Sequence, residues 1–322
     1  MRDENTEIEQ YGFHLALVEL LRAEVTSVSA ARAHLIGVPI FLPAFLTAPK
    51  DVERSVAAVN GISALLYPFV QKGRLLFSLD DFSVRPLIPS ELTEFILEEK
   101  CHLMFDRKLL FPWINTRDLV LSFQSNLENW HNDLIAFPLP HTFFVTPKKR
   151  HRRFLYSFMG RTTVDHWPIH MVRGLNMRQT WESLKRRSRE DAFIGTATEY
   201  RDHFESKTNF YTLPQTSVFT LCPRGIANWT YRLFEAIRGG SIPVILSDSY
   251  IKPYSNIIPW DEFSIRIPEA NLFNVDEMLR RIDKRTICSL QSGLVRNQQW
   301  FTMGSFLELL VTDIYRKMKY RS

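Results

Sequence analysis

One stretch of the sequence, SVFTLCPRGIANWTYRLFEAIRGGSIPVILSD (residues 217–248), constrains the fold more than any other. It contains an apolar run typical of a buried strand, a short loop, a segment with apolar residues at helical spacing, and a second apolar run. A strand, a helix and a strand in this order are typical of an α/β sheet that carries helices on its faces. The loop before the helix is unusually rich in charged and polar residues.

The same alternation extends over the N-terminal half of the chain. Apolar residues at helical spacing predict helices, and compact apolar runs predict buried strands between them. The predicted helices cover residues 8–25, 51–70 and 89–100, and the predicted strands cover residues 35–45, 74–79, 118–123 and 133–140. This half is therefore expected to form an α/β domain of its own.

A short basic connection, PKKRHRR (residues 147–153), separates this half from a second one. We interpret the connection as a solvated linker, although similar runs also bind nucleic acids or direct nuclear import. The pattern then restarts, with strands predicted at residues 154–160, 191–197 and 263–268, and helices at residues 177–190, 275–283 and from about Gln298. We therefore predict two domains, residues 1–146 and residues 147–322.

The composition excludes several classes of protein. With 45% hydrophobic and 23% charged residues among 322, the chain is expected to be soluble and large enough for two domains. The longest apolar passage, residues 35–46, is about half the roughly 20 residues that a membrane helix needs. Three scattered cysteines favour a reducing, cytoplasmic environment, with a Golgi-type lumenal protein cut from its anchor as the alternative. The net charge of +5 indicates an anionic partner.

The loop at residues 223–228 has the features of an anion site. Ligands of open α/β sheets bind beyond the carboxyl ends of the strands, where loops lead into helices. Asn228 is the predicted N-cap of the following helix, and Gly239 and Gly240 are predicted to end it. The first-turn N–H groups favour an anion, and Arg224 and Arg232 add two planar cations suited to phosphate oxygens.

Glu235 adds a second kind of chemistry to this loop. It follows Arg232 by three residues and so shares its face of the helix. A carboxylate is a poor phosphate ligand but accepts hydrogen bonds from the two hydroxyls of a ribose. Phosphate donors beside a diol acceptor predict a nucleoside diphosphate, and Gly225 would let the backbone approach it closely. A simple Arg–Glu helix pair is the alternative.

The same residues resemble the nucleotide-sugar half of the exostosin family of glycosyltransferases. The family's ordered pattern is matched over about forty residues by Cys222, Pro223, Arg224, Gly225, Thr230, Arg232, Glu235, Ala236, Gly240, Ile242, Pro243, Val244, Asp248, Pro253 and Trp260. The resemblance implies a GT-B type fold, in which two Rossmann-like domains face each other and the C-terminal helix crosses back. It also implies inverting transfer from a UDP-sugar to a glycan acceptor, with no metal ion and no cofactor.

The resemblance also assigns roles to individual residues. The C-terminal domain would bind the donor, and the N-terminal domain the acceptor. Donor-binding residues are expected to be Gly160, Arg161, Arg224, Gly225, Thr230, Tyr231, Arg232 and Glu235. The family often has cysteines where this chain has Thr220 and Ser241, a departure that removes likely disulfide partners.

The general base is expected in the N-terminal half, across the cleft from the donor. Asp80 and Asp81 end one predicted strand, and His141 follows another, so each would lie at a strand's carboxyl end. His131 and Asp133 lie at the other end of the strand that precedes His141. The alternative for each of these residues is a solvated turn or a cap.

Two rival functions remain at this point. One is a catalytically silent exostosin-like module that scaffolds a partner transferase. The other is a nucleic-acid-binding protein that uses the basic surface, for which binding would weaken steeply with salt. Neither the dinucleotide fingerprint nor the P-loop pattern occurs in the chain, so the dehydrogenase and P-loop classes are not predicted.

Overall fold

A computed structural model gives the fold of the chain, which divides into two compact units. The first comprises residues 1–137 and 309–322, and the second residues 138–308. The residues that the structure describes are 36–41, 75–78, 119–122, 134–136, 144, 152–160, 184–185, 189–204, 208–224, 230–248, 250–302, 304–305, 308–310, 312–313 and 316. The helices predicted at residues 8–25, 51–70 and 89–100 lie outside them.

The first unit contains a four-stranded parallel sheet. Its strands are β1 (Ile36–Phe41), β2 (Leu75–Ser78), β3 (Leu119–Ser122) and β4 (Leu134–Ala136), paired in the order β1-β2-β3-β4. Leu76 pairs with Leu119, and Val120 pairs with Leu134. Each strand lies within one of the apolar runs from which the sequence predicted a strand, so these four predictions are confirmed.

The second unit contains a five-stranded parallel sheet with the order β6-β5-β7-β8-β9. Its strands are β5 (Phe154–Met159), β6 (Ala192–Gly195), β7 (Ser217–Pro223), β8 (Ile242–Leu246) and β9 (Ile265–Arg266). Every residue of β8 is buried, as is typical of a central strand covered on both faces. The prediction of an α/β class is therefore confirmed.

Four helices belong to the described part of this unit: α1 (Ala197–Phe204), α2 (Tyr231–Gly239), α3 (Val275–Arg280) and α4 (Lys284–Asn297). Helix α2 joins β7 to β8 and ends at Gly240, which has the left-handed φ of 70° that glycine adopts without strain. The predicted end of this helix is confirmed. None of the described helices is long and apolar enough to cross a membrane.

The prediction of a helix that starts near Gln298 is wrong. The long helix α4 begins at Lys284, because the Asp283 carboxylate accepts a hydrogen bond of 2.8 Å from the Thr286 N–H and caps it. Gln298 instead opens a 3₁₀ turn, Gln298–Phe301. Helical residues follow at 304–305, 308–310, 312–313 and 316.

An aromatic cluster explains the last residues of the sequence pattern. The Trp260 indole N–H donates a hydrogen bond of 2.8 Å to the carbonyl oxygen of Pro253. The Trp260 ring packs against Phe263 and Phe301, with ring centroids 5.2 and 5.5 Å away. Pro253 and Trp260 thus hold the chain beyond β8 by packing, and a ligand is not needed to explain them.

The C-terminal end of the basic run has a structural role. Arg152 donates hydrogen bonds to the carbonyl oxygens of Pro214, Ser217 and Gly240, which joins the start of β5 to the start of β7 and the end of α2. The Arg153 guanidinium lies 3.9 Å from the ring centroid of Phe204. The interpretation of the run as a solvated linker is therefore wrong for Arg152, whereas Arg153 is exposed.

Candidate functional site

The carboxyl ends of four neighbouring strands of the second sheet meet at one edge. Gly160 follows β5, Arg224 follows β7, Asp248 lies just beyond β8, and Glu269 lies just beyond β9. Open α/β sheets bind ligands at this edge, where the strands lead into loops and helices. The structure therefore brings two of the sequence-predicted donor residues, Gly160 and Arg224, to the same edge as two acidic residues.

Helix α2 begins at the same edge, but its cap differs from the prediction. Thr230 has an extended backbone, and its Oγ1 accepts a hydrogen bond of 3.3 Å from the N–H of Arg232. The prediction of Asn228 as the cap is wrong, because Tyr231 is the first helical residue. Asn228 itself lies outside the described residues. The positive end of the helix dipole remains at this edge and favours an anion.

Arg232 is held from three directions. Its Nε donates a hydrogen bond of 2.6 Å to the carbonyl oxygen of Met159, at the end of β5. Its Nη1 forms an ion pair with Oε2 of Glu235, which is the helix pair that the sequence offered as the alternative to a ligand site. Its Cζ lies 3.7 Å from the ring centroid of Phe210. Only 14% of the Arg232 side chain and 10% of the Glu235 side chain are exposed.

Nη1 of Arg232 and Oε2 of Glu235 meet as an ion pair and form no hydrogen bond with a described residue. Two further polar atoms of the pair, Nη2 of Arg232 and Oε1 of Glu235, take part in no hydrogen bond or ion pair with a described residue. The first is a cationic donor, and the second is an anionic acceptor. A ligand that offers a phosphate oxygen and a hydroxyl group within one helical turn would complement both.

Burial changes the acid–base properties of this region. It lowers the pKa of the Arg232 guanidinium to about 9, although the nearby Cys222 and Tyr211 act in the opposite direction. Burial also raises the pKa of the Cys222 thiol. At neutral pH Arg232 is therefore a cation and Cys222 a neutral thiol.

Arg224 belongs to a second charged group at this edge. Its Nε lies 2.8 Å from Oε1 of Glu269, and the two side chains are only 12% and 21% exposed. Glu269 is held in turn by Asp248: the backbone N–H of each residue donates to the carboxylate of the other, at 3.1 and 3.3 Å. The three residues connect the ends of β7, β8 and β9.

Thr220 and Ser241 meet below this edge, between β7 and the start of β8. The Thr220 hydroxyl donates a hydrogen bond of 2.8 Å to Oγ of Ser241, which donates to the carbonyl oxygen of Val218 at 3.2 Å. Both hydroxyl groups are buried. A hydrogen bond therefore joins the two positions at which the family resemblance would have placed cysteines.

Several sequence-predicted site residues lie outside the described residues. They are Asp80, Asp81, His141, Arg161 and Gly225, together with His131 and Asp133. Their assigned roles stay predictions. Within the described ranges, no three His, Cys, Asp or Glu side chains are placed to hold a metal ion.

The sequence did not indicate three of the groups found at this edge: the Met159 carbonyl, the Phe210 ring and the Glu269 carboxylate. Every residue has a backbone carbonyl oxygen, so the sequence cannot indicate which one accepts a hydrogen bond at a site. Phe210 and Glu269 contact arginines that are 22 and 45 residues away along the chain, so no local spacing rule applies. The only signal was the aromatic pair Phe210–Tyr211 in an otherwise polar connection.

A comparison with known protein families identifies the family of this chain. The exostosin GT47 domain matches residues 105–282, more than half of the chain. The chain belongs to the exostosin GT47 family. The resemblance stated from residues 217–264 is therefore confirmed, and the match extends it upstream into the first unit.

Curated plant members of the exostosin GT47 family match shorter parts of the chain. "Probable glucuronosyltransferase GUT1" of Oryza sativa subsp. japonica is 35% identical over 123 residues, which are 38% of this chain and 27% of that protein. "Probable beta-1,4-xylosyltransferase IRX10" of Arabidopsis thaliana is 37% identical over 84 residues, which are 26% of this chain and 20% of that protein. The aligned segments thus span about a quarter of the relatives' length.

Solved structures show weaker likeness. The crystal structure of the GtfA/B complex aligns with a TM-score of 0.41 and 8% identity over 80% of this chain and 61% of that one. The pneumococcal O-GlcNAc transferase GtfA in complex with UDP and GlcNAc aligns with a TM-score of 0.40 and 10% identity, over 80% and 60%. Scores at this level are too low to support an argument about the exostosin chain.

Proposed function

We propose that this exostosin-family chain is an inverting glycosyltransferase of the GT-B type. It would move a hexosyl or pentosyl group from a UDP-sugar to a hydroxyl group of a glycan acceptor, without a metal ion or cofactor. Family membership supports the transferase class. The two parallel α/β sheets, one in each unit, are compatible with a donor domain and an acceptor domain.

The observation that carries the proposal is the state of the Arg232–Glu235 pair. The two side chains bind each other, yet Nη2 of one and Oε1 of the other have no hydrogen-bond partner among the described residues. A buried guanidinium suits a phosphate oxygen, and a carboxylate suits a ribose hydroxyl. A nucleoside diphosphate carries both groups, and the alternative of a simple helix pair leaves both atoms unused.

Departure of the nucleoside diphosphate is the step that these residues would assist. As the bond from the sugar to the diphosphate breaks, negative charge grows on the leaving oxygen. Fixed donors placed before the reaction stabilise such charge best, because they do not have to reorganise. The N-terminus of α2, Arg224 and Arg232 would supply them, together with Gly160 and Arg161 at the end of β5.

The acceptor hydroxyl would lose its proton to a base in the N-terminal half of the chain as it attacks the sugar carbon from the face opposite the diphosphate. We propose Asp80, Asp81 and His141 as the candidates, because each follows a predicted strand of that half. Substitution of each by alanine, with donor binding measured alongside activity, identifies the base as the residue whose loss stops transfer but not binding.

A thermal-shift panel tests the proposed function. The full chain is heated with UDP, GDP or CMP, with and without their sugars, and the melting temperature is followed. Ligand that binds only the folded state raises this temperature. We expect UDP and UDP-sugars to raise the melting temperature of the wild type, and Glu235→Ala to remove most of that increase.

A matched variant controls for a general loss of stability. Glu277 forms an ion pair with Arg281 on α3, also on one helical face, and both side chains are more than half exposed. Glu277→Ala should leave the response to UDP unchanged. If no nucleotide shifts the melting temperature of the wild type, the chain has no donor site. The proposed function would then be wrong, and a catalytically silent scaffold would be the better explanation.

A further inference from the structure

Phe210 lies outside the motif of residues 217–264 and yet contacts Arg232, the central arginine of that motif. We propose that Phe210 is a positioning residue for the donor: its ring fixes the plane of the Arg232 guanidinium and so directs Nη2 towards a phosphate oxygen. This inference rests on the proposed function. Phe210 is not expected to touch the nucleotide itself.

The geometry of Arg232 leaves little freedom to its guanidinium. The ring centroid of Phe210 lies 3.7 Å from Cζ, which is close enough for the ring face to hold the guanidinium by a cation–π contact. The Met159 carbonyl and the Glu235 carboxylate hold Nε and Nη1. Once a planar group is fixed by its face and by two of its nitrogens, the direction of the third nitrogen is determined.

The backbone around Phe210 is itself fixed. The Asn209 side-chain oxygen accepts hydrogen bonds of 2.9 Å from the backbone N–H groups of both Tyr211 and Thr212, which closes a tight turn. Leu213, next in the chain, is 2% exposed and packs in the core. The ring is therefore presented by a rigid turn between two well-packed elements.

Without the ring, the arginine side chain would regain rotational freedom, and part of the binding energy would be used to order it again. Because the cation–π contact is one of several interactions that hold the guanidinium, we expect loss of the ring to weaken UDP binding on the order of threefold to tenfold. The turnover number should change less than the donor KM, because Phe210 would act through Arg232 and not on the reacting atoms.

A second cation–π contact offers a matched control. The Cζ of Arg153 lies 3.9 Å from the ring centroid of Phe204, in the same type of contact. Arg153 precedes β5, however, at the amino end of the sheet and so opposite to the candidate donor site. Loss of the Phe204 ring should therefore affect stability without affecting UDP binding.

Calorimetric titration of UDP into the full-length chain tests the inference. The variants are Phe210→Leu, Phe210→Tyr, Phe204→Leu and a chain with 3,4,5-trifluorophenylalanine at position 210. Fluorination keeps the shape of the ring but weakens its negative face. We expect Phe210→Leu and the fluorinated chain to bind UDP more weakly, and Phe210→Tyr and Phe204→Leu to bind it as the wild type does.

The outcomes separate the two proposals. If the wild type binds UDP and the fluorinated chain binds it equally well, Phe210 does not position Arg232 and only this inference fails. Equal weakening by Phe210→Leu and Phe204→Leu would also overturn it, because it would show a general effect of packing. If the wild type binds no UDP, the proposed function fails, and this inference fails with it. The fluorinated chain keeps the test valid if Phe210→Leu does not fold.

Discussion

Arginine side chains serve different purposes in this molecule, depending on the atoms around them. Arg152 donates only to backbone carbonyls, and Arg280 bonds to two aspartates at the amino end of the sheet. Arg224 and Arg232 lie at the carboxyl end, where each pairs with one glutamate. All four side chains carry the same charge and the same donors, so the sequence alone could not separate the structural arginines from the candidate binding arginines.

The pair of Arg280 and Asp191 allows a test of an arginine with a structural role. Arg280 donates to both carboxylate oxygens of Asp191, at 2.9 and 2.5 Å, and this holds the pKa of Asp191 below its usual range. The resulting stability is present above the unfolded-state pKa of about 3.9 and is lost as the pH falls through the lower folded-state value. Asp191→Asn should therefore destabilise the protein at pH 7, by about 1 kcal/mol because the carboxylate is nearly half exposed.

Urea unfolding at pH 7, 5 and 3 measures this effect, and the difference between the variant and the wild type should shrink at pH 3. Asp202→Asn is the control, since its pair with Arg201 is exposed on both sides. A difference between Asp191→Asn and the wild type that grows towards low pH would contradict the assignment.

At the scale of elements, the packing of α4 depends on a glycine. A Cβ atom on Gly293 would lie 2.1 Å from the backbone carbonyl oxygen of Glu262, in the 3₁₀ turn Trp260–Glu262. Because that oxygen belongs to the backbone, α4 would have to move away from the turn. We expect Gly293→Ala to destabilise the protein by about 2 kcal/mol or more, despite the better helix propensity of alanine.

Gly304→Ala is the matched substitution, because a Cβ atom at Gly304 would have no neighbour within 4 Å. It should leave the free energy of unfolding unchanged or raise it slightly. Denaturant midpoints of the two variants give the comparison. Equal midpoints would show that α4 does not pack against the turn as described.

The contact between β7 and β8 predicts a site for a cross-link. The hydroxyl oxygens of Thr220 and Ser241 are 2.8 Å apart, so sulfur atoms in their place would be within bonding reach after a small adjustment. The double variant Thr220→Cys/Ser241→Cys should form a disulfide under oxidising conditions. Closing this short loop should stabilise the chain by about 3 kcal/mol, which dithiothreitol would remove.

Peptide mapping by mass spectrometry identifies the bond, since Cys222 lies two residues from position 220 and is a possible competitor. The single variant Thr220→Cys is the control and should show no stabilisation on oxidation. Two free thiols at positions 220 and 241 after oxidation would mean that the two strands do not meet there.

The sequence predicted strands well, because strands leave apolar runs. It placed helix ends less well, because the capping side chains that decide them cannot be chosen without the fold. All nine described strands lie within stretches that the sequence predicted as strands, and a strand buried along its whole length, such as β8, leaves a strong signal. The start of α2 was placed two residues early, since Asn228 and Thr230 are both good caps and only the fold chooses between them. Helix α4 was missed because its apolar positions are interrupted by serine, glutamine and glycine.

At the scale of the whole molecule, the family match runs from residue 105 in the first unit to residue 282 in the second. The sequence therefore identified the family and placed Arg224, Arg232 and Glu235 in it from one motif. It could not show that Phe210, Met159 and Glu269 surround these residues, because those contacts depend on how distant segments pack. The residues that contact these arginines could be identified only from the structure.

The central claim is that Arg232 and Glu235 bind the phosphate and the ribose of one nucleotide. Calorimetric titration of UDP and of 2′-deoxy-UDP into the wild type and into Glu235→Gln tests it most directly. The wild type should lose affinity for the deoxy ligand, on the order of tenfold, because a buried carboxylate would lose a hydrogen-bond partner. Glu235→Gln should bind both ligands about equally weakly. A wild type that binds both ligands equally well would contradict the claim.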